Sequence, residues 1–72
     1  MIFPIPTNDY LNINVADIIN VKLFSITGAK VLDQDVSSDS FKIDMRRFRS
    51  GVYVIEIITK EETITEKVVY CK

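Results

Sequence analysis

The chain has 72 residues, with nine Lys or Arg, ten Asp or Glu and no His, for a net charge of −1. That balance excludes a strongly basic nucleic-acid binder. A domain of this length buries only about 60% of the surface its unfolded chain exposes, which leaves little room for a deep enzyme cleft. Hydrophobic residues at 47% exclude a disordered tail, and the longest apolar runs, such as residues 52–55, fall far short of the roughly 20 residues that span a bilayer.

In chain order, Pro4 and Pro6 flank Ile5 and bias residues 1–9 to an extended path that withholds two amide donors from any sheet. Leu11, Ile13 and Val15 then alternate with Tyr10, Asn12 and Asn14, the period of a half-buried strand. Residues 17–20 read as a polar turn holding Ile18 and Ile19. Residues 21–26 and 29–35 read as two strands of a hairpin through Thr27 and Gly28, where glycine supplies the positive φ of a tight turn.

Residues 33–40, with Asp33, Asp35, Asp39 and three serines, read as a polar loop. A short strand follows at residues 41–44, with Phe41 and Ile43 inward, then a connector over 45–50 anchored by Phe48. Gly51 ends the connector. Residues 51–59 are dense in β-branched and aromatic side chains, residues 60–63 form a polar turn, and Ile64, Glu66, Val68 and Tyr70 alternate with Thr65, Lys67, Val69 and Cys71. With Tyr53, Ile55 and Ile57 inward, the outer face carries Val52, Val54, Ile58 and Val69, interrupted by Glu56; either loops of the sandwich cover that face, or it is an exposed apolar stripe of the kind that marks a contact surface.

Six to seven short strands with turn signals every eight to twelve residues predict one all-β domain over residues 1–72, an immunoglobulin-like antiparallel β-sandwich. Without His and with a single Cys, no Ser-His or Cys-His nucleophile and none of the common zinc sites can be assembled. Hydrolysis by those routes is therefore excluded; the chain is expected to be no enzyme and to hold neither metal nor cofactor. Asp33, Asp35 and Asp39 lack the glycine and closing glutamate of a calcium loop. Arg46, Arg47 and Arg49 can hold an anion bidentately, although pairing with Asp44 or Glu56 in a solvated turn is the plainer use.

Four motifs in order carry a resemblance. They are Pro4-Ile5-Pro6-Thr7-Asn8-Asp9-Tyr10-Leu11-Asn12-Ile13; Leu23-Phe24-Ser25-Ile26-Thr27-Gly28-Ala29-Lys30-Val31; Ile43-Asp44-Met45 leading through Phe48 to Ser50-Gly51-Val52-Tyr53-Val54-Ile55-Glu56-Ile57; and Lys67-Val68-Val69-Tyr70-Cys71-Lys72. Together they resemble the type A C-terminal sorting domain of type IX (Por) secretion cargo in the Bacteroidota, over nearly the whole chain. The resemblance departs from the family pattern at Ile5, where Asn is usual, and at Cys71.

The resemblance implies a secretion address attached behind a cargo protein. Such a domain passes through the periplasm, directs the cargo across the outer membrane by the type IX translocon, and is removed by a sortase as the cargo is anchored at the cell surface. The scissile bond is then expected upstream of Met1. Carried onto this sequence, the fold-shaping motif falls on Gly28, Gly51, Val52 and Tyr53, and translocon or sortase recognition on Lys67, Val68, Val69, Tyr70 and Lys72. Strand addition to a sheet edge is the physical mode expected for that recognition.

Two other readings stand beside this one. The first is an immunoglobulin-like structural or adhesive module with no export role; the second is an inhibitor that inserts residues 33–40 into the active site of its own cargo. A homodimer by pairing or exchange of the last strand is also expected of an open terminal edge. Neither nucleic-acid binding nor membrane insertion is expected.

Overall fold

The structure, a computed structural model, describes Ile2, Phe3 and residues 9–71, the first two through their backbone pairing. Five strands and one 3-10 turn follow in order: β1 Ile2–Phe3, β2 Tyr10–Ser25, β3 Lys30–Asp44, the turn Met45–Arg47, β4 Gly51–Thr59 and β5 Thr63–Tyr70. All pairings are antiparallel, in the order β1-β2-β4-β5, with β3 on β2. The all-β expectation stands, but the strand number does not. Two long strands replace the predicted short ones.

A straight strand of 16 residues would measure about 53 Å, whereas the longest dimension of the molecule is 31 Å. So β2 is bent. Between the pairs Asn14↔Ser40 and Ile18↔Ser38, three β2 residues (Val15, Ala16 and Asp17) face Asp39 alone. Asp17 takes a φ of +58°, a left-handed conformation that aspartate tolerates better than most side chains. Its N–H donates to Asp39 Oδ1 at 2.9 Å, and its carbonyl accepts from Lys60 N–H at 3.2 Å.

This bend sorts the partners of β2. Its first half pairs with β1 through Ile2↔Ile13, and its second half pairs with β4 from Ile18↔Thr59 to Ser25↔Tyr53. β3 follows β2 along both halves. One continuous sheet thereby folds into two layers of a sandwich. Leu11, Ile13 and Ile43 from one layer meet Val21, Leu23, Ile55, Ile57 and Val68 from the other in a single core, all of them almost fully buried.

Two sequence expectations are corrected here. Residues 17–20 do not turn the chain, and residues 33–40 are not a loop; both lie inside strands. Bulges cause the first misreading, because they shift the inward phase from Leu11 and Ile13 to Ile18 and back to Val21 and Leu23. Edge position causes the second. Among the described strands β3 pairs only with β2 and leaves most of its residues exposed, so it carries polar side chains where a central strand would alternate. The inhibitor reading loses its inserting loop with that correction.

The remaining connections are local. Gly28 at φ +91° closes the β2–β3 turn, donating to Ser25 O at 2.9 Å. The β4–β5 turn is held by Thr59, whose hydroxyl donates to Glu62 O and accepts from the N–H groups of Glu61 and Glu62. Met45, fully buried at the 3-10 turn, donates its N–H to Asp9 O at 2.8 Å and anchors a connector for which the sequence singled out Phe48. Phe48 is half-buried against the core, its ring 6.0 Å from that of Tyr53.

The Asp17–Asp39 bond gives the bend a test. Asp39→Ala is expected to lower the midpoint of urea denaturation, because the Asp17 N–H loses its charged acceptor. Asp17→Gly is expected to keep the fold with stability unchanged or raised by up to about 1 kcal/mol, as glycine removes the left-handed penalty. Urea titrations followed by far-UV circular dichroism give both values.

Candidate functional site: the β5 edge and its outer face

Eight consecutive pairs, from Gly51↔Tyr70 to Ile58↔Thr63, join β5 to β4 without a register shift. Because side chains alternate across a strand, the eight residues divide between two faces. Val68 and Tyr70 point inward and are 0% and 2% exposed. Lys67 is exposed and Val69 half-buried on the opposite face. Of the residues expected to carry recognition, Lys67 and Val69 keep accessible side chains, Val68 and Tyr70 are in the core, and Lys72 lies outside the described residues. The prolines of the first motif lie outside them as well.

The outer face continues from β5 across three more strands. One row runs Lys67, Val54, Phe24, Lys30; the next runs Thr65, Glu56, Lys22, Asp33; Val69 sits beside Val52. Val52, Val54 and Ile58 lie half-buried on this face, as the alternation predicts, and Phe24 joins them from β2. Phe24 was missed for want of a pairing register. No local pattern reveals which β2 residue stands beside Val54.

A polar network borders these apolar residues. Asn20 Nδ2 donates to Asp33 Oδ1 at 2.9 Å and Asp35 Oδ1 at 3.0 Å, its own Oδ1 accepts from Lys22 Nζ at 2.7 Å, and Lys30 Nζ reaches Asp33 Oδ2 at 2.9 Å. Asn20 is thus buried with its hydrogen bonds made. These bonds, Asn20 first and Lys30 second, hold the Asp33 carboxyl below its ordinary value. Among the described residues no three acidic, Cys or His side chains converge as metal ligands do.

At the other end of the molecule Arg46 closes on Asp44, with Nε to Oδ1 at 2.9 Å and Nη2 to Oδ2 at 3.0 Å. This bidentate pair lowers the Asp44 pKa and keeps Arg46 charged. Arg46 also stands over the Tyr10 ring, 5.0 Å from its centre, with Lys42 at 4.3 Å, while Arg47 lies 5.5 Å from the centre of Phe48. The arginine run is thereby engaged at two of its three positions. Burial, followed by the charges of Asp9 and Asp44, pushes the nearby Tyr70 phenol up.

The fold-shaping residues also have defined places. Tyr53, 7% exposed, sends its hydroxyl to Arg49 O at 2.6 Å, the kind of corner that ties the start of a sandwich strand to the preceding loop. Gly51 opens β4 at φ +159° beside Tyr70, and Val52 faces outward next to Val69.

The described residues thus form a small sandwich in which β5 is a regular edge strand, paired among them only with β4, beside a half-buried apolar outer face. The chain belongs to the secretion system C-terminal sorting domain family, whose model matches residues 1–71; these are sorting tails of type IX secretion, and the family is not one of enzymes. Beta-agarase D of Zobellia galactanivorans is 32% identical over 69 residues, which cover 94% of this chain and 14% of the agarase. The chain therefore spans about a seventh of that relative. The structure of the CBM51-2 and INT domains of Clostridium perfringens ZmpB superposes with a TM-score of 0.64 at 19% identity, over 90% of this chain and 16% of that one, and shows the same fold.

Two predictions follow from the faces and the ion pairs. Val68→Ala is expected to cost about 2 kcal/mol through lost burial and a cavity, and Val69→Ala less than about 1 kcal/mol, both measured by urea titration. Asp33 and Asp44 have folded pKa values below the unfolded 3.8, so their contribution is present above that pH and is lost as the pH falls below it. The thermal midpoint is expected to drop on acidification below pH 3.8, and Asp44→Asn or Asp33→Asn is expected to flatten that slope.

Proposed function

We propose that this domain is the export address of a cargo protein joined ahead of it, read by the type IX translocon at β5 and removed by a sortase when the cargo reaches the cell surface. The observation that carries the reading is the division of β5 into a buried face and an open one. Lys67 and Val69 stand on the accessible side of a regular sheet edge, while Val68 and Tyr70 fix that edge to the core. Family membership supports an export role with the cell surface or the extracellular space as destination, and in this reading the periplasm is the compartment crossed on the way. The match to a small fraction of a much longer agarase supports a larger cargo ahead of the domain.

Contacts to the translocon and sortase fall, in this reading, on Lys67, Val69 and Lys72. Val68, Tyr70, Gly28, Gly51 and Tyr53 shape what is recognised. Half-buried Phe24, Val52, Val54 and Ile58 favour a second reading, a structural or adhesive module docked through its outer face. Export separates the two.

Deleting residues 67–72 would also remove buried Val68 and Tyr70, so loss of export would not distinguish recognition from unfolding. Point changes on the open face do. A fluorescent protein carrying an N-terminal signal and this domain, expressed in a type IX-competent bacterium, is expected to appear outside the cell. Lys67→Glu with Val69→Asp is expected to reduce export at least about tenfold, the equivalent of 1.4 kcal/mol of lost binding, with folding unchanged by circular dichroism. Undiminished export of that folded variant would move recognition away from β5, and periplasmic retention of the unaltered fusion would favour the docked module.

A further inference from the structure

Open edges differ in what they invite. Among the described strands β1 has two residues, and β3 is interrupted by three register shifts against β2 and carries Asp33, Asp35 and Asp39. β5 alone combines eight residues, an unbroken register and neither Pro nor Gly. It also carries adjacent opposite charges at its centre, Glu66 on the inward-facing row and Lys67 on the outer one, both exposed.

Those charges decide between a second copy and a foreign strand. When two copies of β5 pair about a two-fold axis that keeps the sheet continuous, one residue must stand opposite itself, because facing residues share a face. The registers of greatest overlap centre on Glu66 or Lys67. They set Glu66 against Glu66 or Lys67 against Lys67, and like charges directly opposite are destabilising. Sliding the copies apart relieves the clash only by shortening the paired length. The edge is thereby guarded against itself and open to a segment of complementary order.

We infer that β5 accepts an extended segment of a partner protein as an added antiparallel strand, with the order apolar, apolar, acidic, basic opposite Val69, Val68, Lys67 and Glu66. The inference rests on the sorting-domain reading for its biological use, and it supplies the chemistry of the partner. The added strand extends the row Lys67, Val54, Phe24 with an acidic residue and places an apolar one beside Val69 and Val52. Backbone pairing gives the affinity, and the charge order gives the discrimination.

The probe is a blocked peptide, Thr-Val-Val-Glu-Lys-Thr-Ile-Thr, compared with the same peptide carrying its Glu and Lys exchanged, each titrated into the isotope-labelled chain. Amide shifts are expected along β5, with the first peptide about tenfold tighter, and Glu66→Lys with Lys67→Glu is expected to reverse the preference. Equal affinities, shifts centred on β3, or no binding at millimolar peptide would overturn the inference. Sedimentation equilibrium examines the guard, which argues against the homodimer that an open terminal edge alone leads one to expect: the unaltered chain is expected to be monomeric, and Glu66→Thr with Lys67→Thr to raise self-association at least about fivefold. A dimer of the unaltered chain as tight as that of the variant would also sink it. Charge-selective binding combined with export indifferent to Lys67 would leave strand addition standing and remove its role in sorting, whereas export sensitive to Lys67 without peptide binding would do the reverse.

Discussion

The left-handed residue Asp17, in the middle of the longest strand, is the constraint from which the rest of the molecule follows. Without it β2 would run straight and Leu11 and Val21 would lie far apart on a flat sheet. With it, one strand serves both layers, and in a chain of only 72 residues the short segment 45–50 suffices to carry the chain from β3 on one side of β2 to β4 on the other. The bend is held from two directions, by the Asp39 carboxylate on β3 and by Lys60 N–H in the β4–β5 turn. The same three segments must therefore be in place for the bend to form.

Folding one sheet over itself leaves β3 and β5 each paired on one side only among the described strands, and the chemistry of the two edges differs. β3 is long, irregular and acidic, with Asp33 and Asp35 tied to Asn20. β5 is regular, with one residue of each charge at its middle. Composition blunts the first edge, and at the second the like charges that self-pairing would oppose do the same. The half-buried outer face next to β5 would give the proposed added strand apolar neighbours as well as backbone.

Much of this was legible in the sequence. The inward residues of β4 and the alternation of β5 are plain because each strand has one face in the core and no bulge, so hydrophobicity reports geometry directly. What stayed hidden was the continuity of β2 and β3. A bulge at 15–17 breaks the apolar alternation as a turn does, and an exposed edge strand has no apolar face to announce it. Met45 was obscured because its burial depends on the bond from its N–H to Asp9, a contact between segments 36 residues apart. Likewise Val68 and Tyr70 belong to the family motif but sit on the inner row, so a motif marks a strand without saying which of its residues a partner touches.

That division has a consequence for any reader of the edge. Lys67 and Val69 stand in register only while Val68 and Tyr70 occupy the core, and Tyr70 in turn lies beside Gly51, where the corner from Tyr53 to Arg49 begins β4. An unfolded copy presents the same four residues with no defined face. A partner that adds a strand to β5 and reads alternate side chains therefore selects the folded domain over the unfolded one by the full cost of ordering that strand, about 1–2 kcal/mol per residue in backbone entropy.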